Sequence, residues 1–253
     1  SAKGNDRGED MQRADPRIAD LVATGHIRLG LFLPQFAKDS ASGELRGIGT
    51  GFIAIAIVRA LAARLDIGAR VIEHPTPPQA VEALRSGACD VAFLGIEPSR
   101  TAVVDFTPPL FQFDYSLLLP AGSTITSLAG ADRAGCRIGL VDSHASALAL
   151  RRIVTHAALV GVELPESAFA LLGDGKVDAL AFPRDQLLDF AERLPGARVL
   201  EDGYGVNRVA MALKKGRAGL LSCLSDFADE AKASGLVQDA IERGGLRGFD
   251  VAA

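Results

Sequence analysis

Arg100 is the residue whose placement carries the most chemistry. The stretch VEALRSGACDVAFLGIEPSRTAVVDFTPPLF, Val81 to Phe111, reads as an amphipathic helix stopped by Gly87, a buried strand from Cys89 to Leu94 and a turn at Gly95. A second, short helix opens at Pro98, a residue suited to a first helical position because its missing N–H is not needed there. Arg100 therefore falls in a first helical turn, where a cation faces the positive end of the dipole and is disfavoured by roughly 0.3–1 kcal/mol when exposed. An anion held against the guanidinium and the free N–H groups of the turn would reverse that sign. A local ion pair with Glu97 or Asp105 would satisfy the same side chain.

The other chemistry-bearing residues point to less. Gly49-Thr50-Gly51-Phe52-Ile53-Ala54 meets the loose dinucleotide fingerprint, with Glu73 at a suitable distance. The strand before it ends about fifteen residues too early, and no Lys-Ser/Thr follows for a phosphate loop, so the glycines read as a turn and helix start and no cofactor is expected. His26, His74, His144 and His156 show no ligand spacing with Cys or carboxylates, so no metal is expected. Ser143-His144 lacks the GxSxG elbow of a catalytic triad. Asp142 or Ser143 can instead cap the following helix, leaving the N–H groups of His144, Ala145 and Ser146 free for an anion. Cys89, Cys136 and Cys223 are widely spaced and odd in number, and read as buried free thiols.

These residues must be positioned by a chain of 253 residues, 48% hydrophobic and 23% charged, which can build one large or two modest cores. A net charge of −4 without a Lys/Arg block tells against nucleic acid and anionic membrane surfaces as partners. GFIAIAIVRALAARL is interrupted by Arg59 and Arg64 and reads as a buried helix, Phe52 to Leu65, not a membrane span. Ser1 to Asp10 has no apolar signal core; a mature chain and a cytosolic one starting at Met11 both fit.

Asp15-Pro16 opens a short helix ended near Gly25, followed by a first strand from His26 to Leu33 and a loop from Pro34 to Gly51. Strand ARVIEH, the turn Pro75 to Pro78, a helix to Ser86 and strand CDVAFL then alternate as βαβ units of a parallel sheet. After the extended segment FDYSLLLPAG a second alternation begins: strand Cys136 to Val141, helix His144 to Thr155, strands Ala158 to Val160 and Val177 to Phe182 flanking a helix at Glu166 to Leu172, then helix Gln186 to Arg193 and strand ARVLED. NRVAMALKKG returns as a strand, with helices Leu220 to Ser234 and Leu236 to Arg243 behind it. The middle of the chain reads as one α/β unit inserted in another.

The run around Leu84 to Leu110, ALRSGACDVAF followed by PSRTAVVDFTPPLF, resembles the extracellular solute-binding proteins of family 3, the polar amino-acid type, and the resemblance extends from about Asp20 to the C-terminus. It implies a two-lobed α/β fold of the type II periplasmic-binding-protein kind, with SLLLP and RVAMAL as crossing hinge strands. On that reading residues 1–26 are an N-terminal arm and short helix, 27–115 plus 207–253 form lobe 1 and 116–206 lobe 2, with the ligand cleft between them.

The carboxylate half of such a site falls on Arg100, Gly95 and the helix start His144-Ala145-Ser146, with Ala145 in place of the usual threonine. Ile53 and Ile55 replace acids usual after the glycines. The ammonium half falls on Phe32, on Phe93 with Gly95, and on Pro183, none of which can pair a cation; Gln35 stands where a stacking tyrosine is usual, and Phe36 and Arg184 are further cleft candidates. A desolvated ammonium without a partner costs several kcal/mol. The resemblance with these replacements implies a non-enzymatic, periplasmic, monomeric substrate-binding component of an ABC importer. It would deliver a small organic anion lacking an α-ammonium group to a membrane permease. A cyclohexadienyl or arogenate dehydratase-like enzyme on the same fold, an amino-acid binder with a divergent site and a sensory module are the alternatives.

Overall fold

The computed structural model describes residues 15–253, so the arm Ser1 to Asp10 and the start at Met11 lie outside the described residues. Asp15 accepts the Arg17 N–H at 2.8 Å and opens a 3-10 turn, Pro16–Ile18, that runs into α1 (Ala19–Thr24) and ends at Gly25 with φ 72°. Next come β1 (His26–Phe32), a short hairpin of β2 (Phe36–Lys38) and β3 (Leu45–Gly47), α2 (Thr50–Arg64) and β4 (Gly68–His74). A capping box between Thr76 and Gln79 starts α3 (Pro77–Ser86), which stops at Gly87 and leads to β5 (Val91–Gly95). The one-turn α4 (Pro98–Thr101), β6 (Val104–Phe106) and the long β7 (Phe111–Leu119) complete this half.

The inserted half holds α5 (Leu128–Ala131), β8 (Arg137–Val141), α6 (Ala145–Leu150), β9 (Ala158–Val162), α7 (Pro165–Gly173), β10 (Ala179–Pro183), α8 (Arg184–Arg193) and β11 (Arg198–Val199). The chain returns through β12 (Gly205–Lys214) to α9 (Ala218–Ala233), α10 (Leu236–Arg243) and β13 (Phe249–Val251).

Apart from the β2–β3 hairpin, the strands join in one sheet ordered β4-β1-β5-β12-β7-β10-β8-β9, with β6 on β12 and both β11 and β13 on β7. At one end β1 runs parallel to β4 and β5, and at the other β8 runs parallel to β9 and β10, as the two alternations predict. Between them β7 and β12 pair antiparallel from Gly205↔Tyr115 to Val209↔Phe111 and carry the chain out and back; they contain the two segments expected to cross.

Each end of the sheet is covered on both faces, which is why its central strands are apolar almost throughout. Ile53, Ile57 and Leu61 of α2 pack with Leu224 and Phe227 of α9 against Leu29 and Leu31, while Ala80 and Leu84 of α3 meet Phe32, Ala92 and Leu94 on the opposite face. The inserted half repeats this, with Ile138, Leu140 and Leu150 on one side and Val141, Phe182, Leu187 and Phe190 on the other. The result is a two-lobed α/β fold. All three cysteines are buried free thiols, as expected; burial pushes Cys89 up to about 11 and raises Cys136 and Cys223.

Three local expectations are corrected. Pro34 to Gly51 is not wholly loop, since Phe36↔Gly47 to Lys38↔Leu45 pair as the β2–β3 hairpin. The helix expected to reach Thr155 ends at Leu150, because the Asp132 carboxylate gathers the N–H groups of Thr155, His156 and Ala157 into a turn. Neither Asp142 nor Ser143 caps α6: His144 is the N-cap, its Nδ1 accepting the Ser146 N–H at 3.2 Å, while Asp142 pairs with Arg151.

Candidate functional site

Arg100 projects from α4 into the seam between the lobes and is only 7% exposed. Its Nη1 donates to the Gly95 carbonyl at the end of β5 and its Nη2 to the Ser143 carbonyl just before α6, both at 3.2 Å. Neither local acid expected as a partner engages it. Glu97 is bonded by Arg152 and Asp105 accepts the Gly216 N–H at 2.9 Å. Among the described residues no carboxylate bridges Arg100, and desolvation draws its pKa down. A buried guanidinium of five donors held by two long bonds to neutral carbonyls is under-satisfied.

His144 stands beside it, 7% exposed, its ring 4.9 Å from that of Phe182. Burial, reinforced by the Arg100 charge, pushes its pKa down to about 3, so the imidazole is neutral. Because Nδ1 accepts from Ser146, the proton belongs on Nε2, which makes the ring a neutral donor. The anion site expected on the start of α6 is thus partly occupied by the chain itself: His144 N–H donates to the Val141 carbonyl and Ser146 N–H to His144.

A cavity of about 30 Å³ remains in the seam. Phe32, Gln35, Phe93, Gly95, His144 and Pro183 line it, bringing together six of the nine residues picked from the sequence. Arg100, Ala145 and Ser146 are not on its wall. Arg100 lies one hydrogen bond behind Gly95; Ala145 sits so close to Gly95 that a Cβ there would stand 3.1 Å from it, and Ser146 is fully buried. Gln35 is lined up by its own bonds, accepting from Phe32 N–H and donating to the Phe93 carbonyl, so its amide braces the wall. Phe36 does not line the cavity, and Arg184 is turned away into Asp114 (2.7 Å) and the carbonyls of Leu200 and Glu201.

The wall also contains Asp185, Gln186, Asn207 and Phe113, which the sequence reading missed. Asp185 corrects the expectation of a cleft without acid. One carboxylate oxygen, Oδ2, accepts from Gln186 Nε2 at 3.2 Å, while Oδ1 is buried without a hydrogen-bond partner among the described residues. Burial raises its carboxyl to about 6, with Asp189 adding to the rise. Pro183 itself lines the wall, and Asp185, two residues on, does so too. Pro183 ends β10 and caps α8, Arg184 leaves for Asp114, and Asp185 is the next side chain to face the gap. The chemistry brought together is a desolvated cation behind Gly95, a neutral donor beside it, an acid in the wall, and phenylalanine rings between. Among the described residues no group of three His, Cys, Asp or Glu side chains is placed to hold a metal ion, and no helix is long and apolar enough to cross a membrane.

A family model, that of the bacterial extracellular solute-binding proteins, family 3, matches residues 34–243. The ABC transporter glutamine-binding protein GlnH of Bacillus subtilis is 26% identical over 207 residues, 78% of this chain and 72% of that protein. Among solved structures, a solute receptor for L-cysteine of Neisseria gonorrhoeae superposes with a TM-score of 0.77 at 24% identity, covering 90% of this chain and 92% of that one. The ancestral amino acid-binding protein AncCDT-1, a precursor of cyclohexadienyl dehydratase, gives 0.73 at 21% identity over 89% and 98%.

Proposed function

The chain belongs to the bacterial extracellular solute-binding proteins, family 3, and from that premise we propose that it is the substrate-binding component of an amino-acid ABC importer, closing lobe 1 (27–115 plus 207–253) on lobe 2 (116–206) around an α-amino acid. The observation that carries this reading is the buried guanidinium of Arg100 with no carboxylate partner among the described residues. A ligand carboxylate would take its free donors in a bidentate pair, with His144 and Gly95 beside it. Asp185 Oδ1 would take the ammonium, which removes the reason for excluding amino acids. The apolar rings of Phe32, Phe93 and Phe113 favour a small or apolar side chain. Closure is favoured by contacts that only both lobes together can make.

Two other readings have an observation each. The phenylalanine-lined wall and a carboxyl that burial makes easier to protonate suit an acid without an amino group. An elevated carboxyl in an apolar cleft is also what a general acid needs, so a dehydratase acting on a cyclic carboxylic acid is the enzymatic alternative. Thermal-shift titration with the common L-amino acids, matched ammonium-free acids, prephenate and arogenate decides among them. Stabilisation by an L-amino acid over its deaminated counterpart supports the amino-acid reading, the reverse order supports the ammonium-free acid, and product formation from prephenate or arogenate supports the enzyme. Arg100→Ala abolishes the shift in the first two cases while leaving the protein folded; an unchanged shift would refute the role given to Arg100.

A further inference from the structure

Glu97, the N-cap of α4 with extended backbone, and Arg100, in the turn that it opens, lie three residues apart and are both buried to 7% exposure, yet no hydrogen bond or ion pair joins them. Each has its partner across the seam. Glu97 is bonded by Arg152, in the segment after α6, and Arg100 by the Ser143 carbonyl in front of α6, its other bond going to Gly95 on its own side. Arg152 and Ser143 are carried by the inserted half of the sheet, Glu97 and Arg100 by the half that holds β5.

We infer that Arg152 is a positioning residue for ligand capture: it draws Glu97 off Arg100 as the lobes close, so that the guanidinium meets the ligand anion only in the closing molecule. The inference rests on Arg100 being the anion-binding group. When the lobes part, Arg152 and Ser143 leave together, and the two opposite charges left on one turn neutralise each other. The anion site is then masked by the protein's own carboxylate. On closure Arg152 takes Glu97, and Arg100 swings to the carbonyls of Gly95 and Ser143 with its remaining donors free. An open-state mask populated nine-tenths of the time would lower apparent affinity about tenfold. A plain clasp, in which Glu97–Arg152 simply holds the lobes together, makes a different prediction, because either partner's loss would then weaken binding equally.

Titration calorimetry with each of the twenty common L-amino acids on the wild type, Arg152→Ala, Glu97→Gln, the Glu97→Gln/Arg152→Ala double variant and Arg100→Ala separates these cases. Arg152 is half-exposed, so its loss leaves the fold intact, and circular dichroism of each variant checks this. For any amino acid the wild type binds, Arg152→Ala is expected to weaken binding about tenfold, Glu97→Gln to bind as well as the wild type or better, and the double variant to recover most of the loss. A double variant as weak as Arg152→Ala, or a Glu97→Gln as weak, overturns the partner exchange while leaving Arg100 in place. Full binding by Arg100→Ala, or no binding of any amino acid by the wild type, counts against the site reading and the exchange falls with it.

Discussion

Asp185 turns the choice of ligand into a pH experiment. Its carboxyl titrates near 6 in the folded protein against an ordinary value of about 3.9, so the folded state holds this proton more tightly than the unfolded chain. Its contribution to stability is therefore present below about pH 4 and is lost as pH rises through 4 to 6, at most roughly 3 kcal/mol by neutrality. Asp185→Asn should raise the ligand-free melting temperature at pH 8, leave it nearly unchanged at pH 4 and remove amino-acid binding; calorimetric scans at the two pH values check the first two. An ammonium requires the ionised form, so wild-type affinity for an amino acid should fall about tenfold per unit below pH 6, whereas an ammonium-free acid would show no such fall. Arg100 is the converse case. Removing an unpaired buried cation relieves a desolvation cost, so Arg100→Ala should melt no more than a few degrees below the wild type in the absence of ligand.

Elements decide how closely the two sides of the cleft can meet. Gly95 ends β5 where the lobes touch, and a Cβ there would run into Asn207 Oδ1 and crowd Ala145. Gly95→Ala should therefore weaken binding at least tenfold by crowding Ala145 on closure and, because Asn207 lies beside Gly95 within one lobe, also lower the ligand-free melting temperature by displacing that side chain; titration beside a thermal scan tests both. Gly51 has a different task. Its missing Cβ lets the start of α2 rest on the Gln35 backbone, which holds the loop that frames Phe32.

What was legible in the sequence follows the same line. The strand and helix alternation, the stops at Gly25 and Gly87 and the crossing strands were readable because period, caps and breakers are local signals. The β2–β3 hairpin and β13 are three-residue strands that exist only through their pairing, and α6 is shortened by Asp132, about twenty residues upstream. The same distinction separates the site residues. Phe32, Gly95 and Pro183 end strands, Phe93 lies inside one and His144 caps a helix, positions where register reads through. Asp185 needed knowledge that Arg184 would be pulled aside by Asp114 on another strand, and Asn207 that β12 would pass beside Gly95.

At the scale of the molecule, each lobe has its own two-faced core, and β7 and β12 are the continuous structure between them. A ligand bound by both lobes links their stabilities. At a hundred times its dissociation constant it should add about 2.7 kcal/mol. For a chain of this length that corresponds to a rise of roughly 5–10 °C in melting temperature, measurable by calorimetry.

The three interior cysteines give this linkage a separate reporter in each half. Cys89 and Cys223 lie under one core and Cys136 under the other, all three protonated and shielded at neutral pH. A thiol reagent can reach each sulfur only in the moments when its surroundings come apart. Timed alkylation read by peptide mass therefore clocks the two halves independently without a single engineered label, and a compound that bridges them should slow all three clocks at once.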